Sequence, residues 1–87
     1  MYRSSHIERA IDIALAAGNC VKEVSEGWSN TDLVIYMTNR LTPEVRHSIE
    51  TKEPSLKYWS VNGTPHNLPE EGFICDEFKV AVSFPRS

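Results

Sequence analysis

At 87 residues the chain has room for one domain spanning residues 1–87, and a hydrophobic content of 40% gives it a core of modest size. Twelve Asp and Glu against nine Lys and Arg leave a net charge of −3 with no run of like charge. That balance lacks the clustered positive footprint of a nucleic-acid binder, and it is too small for a strongly acidic mimic of DNA.

Ser5-x-x-Glu8 has the form of a capping box, and Ile7, Ala10, Ile11, Ala14 and Leu15 follow at helical spacing. Gly18-Asn19 is a stop signal, because both residues tolerate positive φ. The pattern predicts a helix over 5–17. Ile11 and Leu15 are expected in the core together with Val80 and Val82. The helical pattern is amphipathic, unlike the apolar run of a signal peptide, and no stretch is long enough to span a membrane. A cytoplasmic protein is the expectation.

Cys20 to Glu26 reads as a half-exposed strand, Gly27-Trp28-Ser29-Asn30 as a turn, and Thr31 to Thr38 as a second strand. In the latter, Leu33, Ile35 and Met37 share one side and Val34 and Tyr36 the other. The short connection makes the pair an antiparallel hairpin. Thr42-Pro43-Glu44 starts a second helix over 43–51, with Thr as cap, Pro in the first turn and Glu at the positive end of the dipole. Val45 and Ile49 form its apolar stripe, and Pro54 ends it. Ser55 to Val61 is a third strand, and Phe73 to Phe84 contains a fourth.

The order αββαββ predicts an α+β fold of two layers: a mainly antiparallel four-stranded sheet with two helices on one face. The other face is then solvated or covered by a partner. A homodimer is expected, since apolar and aromatic groups on an outer sheet face favour a cover.

Residues 58–72 run from two aromatics into a loop rich in turn residues, Tyr58 to Gly72. A long polar loop in so small a domain is a natural binding feature. If Trp59 and Val61 point to the core, Tyr58 shares the open face with Tyr36. Exposed Tyr and Trp supply large contact area at small entropic cost. The candidate binding residues are therefore Trp28, Tyr36 and Tyr58, with His66 and Asn67 of the 62–72 loop as polar contacts. Such a surface suits a protein partner, as in a regulator or inhibitor of the accessory type found in bacteria and phages. Two aromatics on an open sheet face also suit single-stranded RNA, but the acidic balance and the expected lack of clustered Arg and Lys around them argue against it.

The chemical alternatives are weaker. His66 beside Glu70 and Glu71 could pair a carboxylate with an imidazole, and His66 with Cys75 could activate a thiolate, in a small-ligand binder or small enzyme. Neither arrangement has an oxyanion device or a third orienting group, so the expectation is no enzyme. His6, His47 and His66 have no metal-ligand spacing, Cys20 and Cys75 no C-x-x-C pattern, and no glycine-rich phosphate loop opens a helix. No metal or cofactor is expected, and both cysteines are read as free thiols. Asn62-Gly63-Thr64 matches a glycosylation sequon but reads first as a turn.

Overall fold

The computed structural model describes residues 5–27, 31–63, 65, 69–75 and 79–86. Helix α1 spans Ser5–Ala16, strand β1 Val21–Glu26, β2 Leu33–Met37, helix α2 Pro43–Lys52, β3 Lys57–Val61, β4 Glu70–Cys75 and β5 Val80–Pro85. The α+β class and both helices match the sequence reading. The sheet does not: it has five strands, ordered β1-β2-β5-β4-β3, and it is mixed. Strands β1 and β2 are antiparallel, as are β3 with β4 and β4 with β5, but β2 and β5 run parallel at the centre.

Strand β5 explains the difference. Its alternation reads as one buried and one solvated face, yet all of Val80 to Phe84 is buried. The residues on the second face, Ala81 and Ser83, are small enough to be covered by their neighbours. A strand buried on both sides takes the middle of the sheet, which allows the parallel pairing with β2. Strand β4 was hidden for a different reason. Glu70-Glu71-Gly72 resembles a loop tip, but each carboxylate has a hydrogen-bond partner within the sheet. Ser83 Oγ donates to Glu70 Oε1 at 2.9 Å, and Tyr58 OH donates to Glu71 Oε1 at 2.6 Å. Gly72 is needed because a Cβ there would lie 1.9 Å from the Val82 carbonyl oxygen.

Both helices lie on one face of the sheet. Helix α1 presents Ile7, Ala10 and Ala14, all buried, and packs against β4 and β5. It ends in a Schellman motif: Asn19 N–H donates to the Ala14 carbonyl and Gly18 N–H to that of Leu15, both at 3.0 Å, with Gly18 at φ +98°. Asn19 then ties this turn to the end of β2, its Oδ1 accepting from Asn39 N–H at 2.8 Å and its Nδ2 donating to the Asn39 carbonyl at 2.9 Å. Helix α2 is capped as expected: Thr42 Oγ1 accepts from Val45 N–H at 3.3 Å, with Pro43 following. Its core residue is Ile49, and its Arg46 lies over Tyr58 of β3.

The core joins these helix residues to Met37, Phe73, Val80, Val82 and Phe84. Leu15 falls outside it, at 43% exposure, and Ile11 is only half-buried. The helical stripe is narrower than the sequence suggests because the small Ala10 and Ala14 bring α1 close to the sheet. That approach leaves Ile11 and Leu15 on its flank.

Glu53, just after α2, is a buried carboxylate at 3% exposure. It links the two helices, with His6 Nδ1 at 2.5 Å from Oε2 and Arg9 donating to Oε1 at 3.1 Å. Burial pushes its carboxyl up, but the His6 and Arg9 hydrogen bonds outweigh this and hold it below the ordinary carboxylate range.

Candidate functional site

The register of the ladders decides which side chains share a face. Tyr58 pairs with Phe73, Phe73 with Val82, and Val82 with Ile35. All four therefore lie on the helix side. Tyr36 pairs with Ser83 on the opposite side. Tyr36 and Tyr58 do not share an open face, because in β3 it is Tyr58, not Trp59 or Val61, that points to the core.

Tyr58 is embedded in a polar cluster beneath α2. Its ring meets Phe73 edge to face at 5.8 Å, and the Arg46 guanidinium sits 3.7 Å from its centroid. Arg46 Nε is also 3.3 Å from Glu50 Oε1. The hydrogen bond to Glu71, with burial second, raises the Tyr58 phenol above its ordinary value. A phenol held protonated and donating to a carboxylate is a structural clasp between β3 and β4, poorly suited to acid–base exchange near neutral pH.

Tyr36 has a different setting. With Lys22, Met37, Thr38, Pro69, Glu70, Ser83 and Pro85 it lines a hollow of about 170 Å³ on the helix-free side. This face is not a bare sheet: Val34, Ala81 and Ser83 on it are buried, and Trp59 and Ile74 are half-buried. Glu70 and Glu71, adjacent in sequence, point to opposite faces and have different partners. They cannot act as a carboxylate pair. The 62–72 loop also shortens, since Glu70 to Gly72 are in β4. Trp28, His66 and Asn67 lie outside the described residues. Cys20 is exposed and Cys75 buried, both as free thiols. Among the described residues no three His, Cys, Asp or Glu side chains gather as metal ligands would.

A second surface was not singled out from the sequence. The roof of the sheet is incomplete: α1 packs on β4 and β5 and α2 reaches β3, which leaves the outer strand β1 least covered among the described strands. Val21 pairs with Met37 and Val24 with Ile35, which puts both valines on the helix side. They are nonetheless 44% and 57% exposed. On α1 the flank bearing Ile13, Ala16 and Ala17 faces α2 across a groove of about 460 Å³. Ile11 and Leu15 occupy the opposite flank, towards β1 and β2. Val21 and Val24 thus share a sheet face with half-buried Leu33 and Ile35, and Leu15 stands on the flank of α1 turned towards that face; together they outline an apolar shelf. The signal was present in the sequence as two valines on a strand otherwise made of charged residues and Ser.

Compared with protein-family models, curated proteins and solved structures, the chain matches none.

Proposed function

We propose that the chain is a small protein-binding module, a regulator or inhibitor acting in the cytoplasm, whose recognition surface is the β1–β2 hairpin. The observation that carries this reading is the shelf. Leu15, Val21 and Val24 are three of the four exposed large hydrophobic side chains among the described residues, and all three belong to the β1 side of the sheet's helix face. A contiguous apolar patch rimmed by charge is a common mark of a protein contact. Here Glu26 is exposed on the shelf side, and Lys22 and Glu23 are exposed on the same strand. Tyr36 and its hollow add an aromatic contact on the other side of the same hairpin. The partner is a protein, with a second copy of the chain among the candidates. The reading assigns no cofactor, no nucleic acid and no membrane, and no described helix is long and apolar enough to cross one.

An enzymatic reading based on His66 with Glu70 or Glu71 has less support. The two carboxylates are committed to Ser83 and Tyr58 on opposite faces.

The test is affinity capture from the source cells with the immobilised chain, identification of the bound protein, and titration with purified components. Val21→Lys and Leu15→Lys are expected to weaken binding at least tenfold with urea midpoints near wild type. Glu70→Gln is expected to leave binding within about twofold, because Glu70 lies outside the shelf and the Gln carbonyl can still accept from Ser83. Full affinity in both Lys variants, or an activity abolished by Glu70→Gln or Glu71→Gln, would refute the reading.

A further inference from the structure

The hairpin's outer strand has a hydrogen-bonding parity that selects a partner. Gly27 N–H donates to the Asp32 carbonyl at 3.1 Å. Bonded and non-bonded pairs alternate along an antiparallel ladder. Counting back from Gly27 and Asp32, the pairs Ser25–Val34 and Glu23–Tyr36 are bonded, and Glu26–Leu33 and Val24–Ile35 are not. The peptide groups of Val24 and Glu26 therefore point away from β2, out from the edge of the sheet. The register shift between Val21 and Glu23 makes Lys22 a bulge and confines the regular ladder to Glu23–Glu26.

Consider β1 against its own copy about a two-fold axis. Four centres use the outward peptide groups, and one at Glu26 opposes two Glu26 carboxylates directly, which is destabilising. A centre at Glu23 sets two Glu23 carboxylates against each other in a close non-bonded pair, which is destabilising. A centre at Ser25 puts Glu26 of one copy beside Val24 of the other, a carboxylate against the apolar shelf. A centre at Val24 places Val24 against Val24 on the shelf side and Glu23 against Ser25 on the other. It alone stacks apolar on apolar and opposes no like charges.

We propose that a second copy of this chain docks by antiparallel pairing of β1 with β1, centred on Val24, joining the two sheets into one of ten strands. The inference rests on the reading of the hairpin as the recognition surface and names its occupant. The two-fold contact brings both shelves together, so Val24, Val21 and Leu15 of each copy flank one apolar seam. It also consumes both β1 edges, so it closes as a dimer and does not extend into a fibre. The bulge and the three charged residues of β1 keep the contact short. A contact this short belongs with weak, reversible interfaces, so the dimer is expected to form at the upper end of the concentration range tested.

Sedimentation equilibrium between micromolar and millimolar concentration tests this, using wild type, Val24→Lys and a Val24→Cys variant in a Cys20→Ser background. The wild-type average mass is expected to rise from 9.9 kDa towards twice that value. Val24→Lys sets two ammonium groups on the axis and should weaken the dimer at least tenfold, with an unchanged urea midpoint. Val24→Cys should cross-link to itself on mild oxidation, since directly paired residues lie within disulfide reach. A wild-type chain that stays at 9.9 kDa overturns the proposal, as does a dimer that persists in Val24→Lys. If the chain is monomeric but a captured host protein is lost in Val21→Lys, the second copy falls while the hairpin reading stands. If neither self-association nor a hairpin-dependent partner is found, both fall.

Discussion

Replacing Gly72 with Ala tests the central geometry of the sheet. Gly72 sits in β4 opposite Ser83 of β5 and Trp59 of β3. A Cβ at this position would lie 1.9 Å from the Val82 carbonyl oxygen and 2.9 Å from its carbon. The first distance is more than about 1 Å short of the closest approach that Cβ atoms make. The obstacle is backbone, so no side chain can rotate away. Strand β4 must move from β5, and ladder bonds of about 2.9 Å then stretch out of range. Overpacking costs about 1–3 kcal/mol, and two weakened ladder bonds add about 1 kcal/mol each, for a total of about 3–5 kcal/mol. The stability of an 87-residue domain is roughly 4–13 kcal/mol, so the variant should lose a large share of it. Urea unfolding followed by circular dichroism measures the loss, and the melting temperature should fall by more than about 10 °C. Gly18→Ala is the control. It has nothing within 4 Å of its Cβ but a φ of +98°, so its cost is conformational strain of about 1–2 kcal/mol. A Gly72→Ala variant within 1 kcal/mol of wild type, or more stable than Gly18→Ala, would refute the close approach of β4 and β5.

Two further outcomes follow from buried groups. Glu53 has a folded-state pKa below its unfolded value, so its contribution is complete above the ordinary carboxylate range and is lost as pH falls through the lowered value. Urea midpoints of wild type should therefore fall more steeply than those of Glu53→Gln between about pH 5 and pH 3, and Glu53→Gln should cost about 1–3 kcal/mol at pH 7. Parallel pH profiles would show that His6 and Arg9 do not hold the carboxylate in solution. Alkylation of the native protein should modify Cys20 quickly and Cys75, at 4% exposure, only on denaturation. Rapid modification of both in the native state would contradict the packing of the β4 end, and modification of neither would contradict the exposure of Cys20.

How far the fold could be read from the sequence depended on how local the signal was. Both helices were legible because their caps and stops are written in neighbouring residues: Thr42-Pro43 for α2 and Gly18-Asn19 for the end of α1. The first hairpin was legible because few residues separate β1 from β2. The parallel pairing of β2 with β5 was not, since it joins Leu33 to Val80 across more than half of the chain. Nothing near either residue announces it. Strand β4 was missed because its first three residues look like a loop until Ser83 and Tyr58 are in place to receive Glu70 and Glu71. Leu15 satisfies the helical period but lies on the flank, and only the position of α1 over β4 and β5 decides that.

The same contrast separates the site residues from the site. Residue type alone pointed to Tyr36 and Tyr58, and the structure gives them opposite settings. Tyr58 is held from three sides, by Phe73, Arg46 and Glu71, so removing it would first loosen the packing of α2 on β3. A binding defect in Tyr58→Ala would then be hard to separate from a folding defect. Tyr36 lines a hollow at the sheet surface, and the shelf beside it is made of side chains whose exposure means that folding does not depend on them. A two-helix roof is too narrow for five strands, and β1 is the strand it covers least. On the helix side Met37 of β2 still reaches the core and Leu33 and Ile35 are half-buried, but Val21 and Val24 of β1 gain little cover from the described residues. Leaving Val24 at 57% exposure forgoes about half of the burial a core valine would receive, on the order of 1 kcal/mol. Association of the hairpin with another surface would recover that energy, which is why the substitutions that discriminate best are at Val21 and Val24 rather than at the aromatic residues.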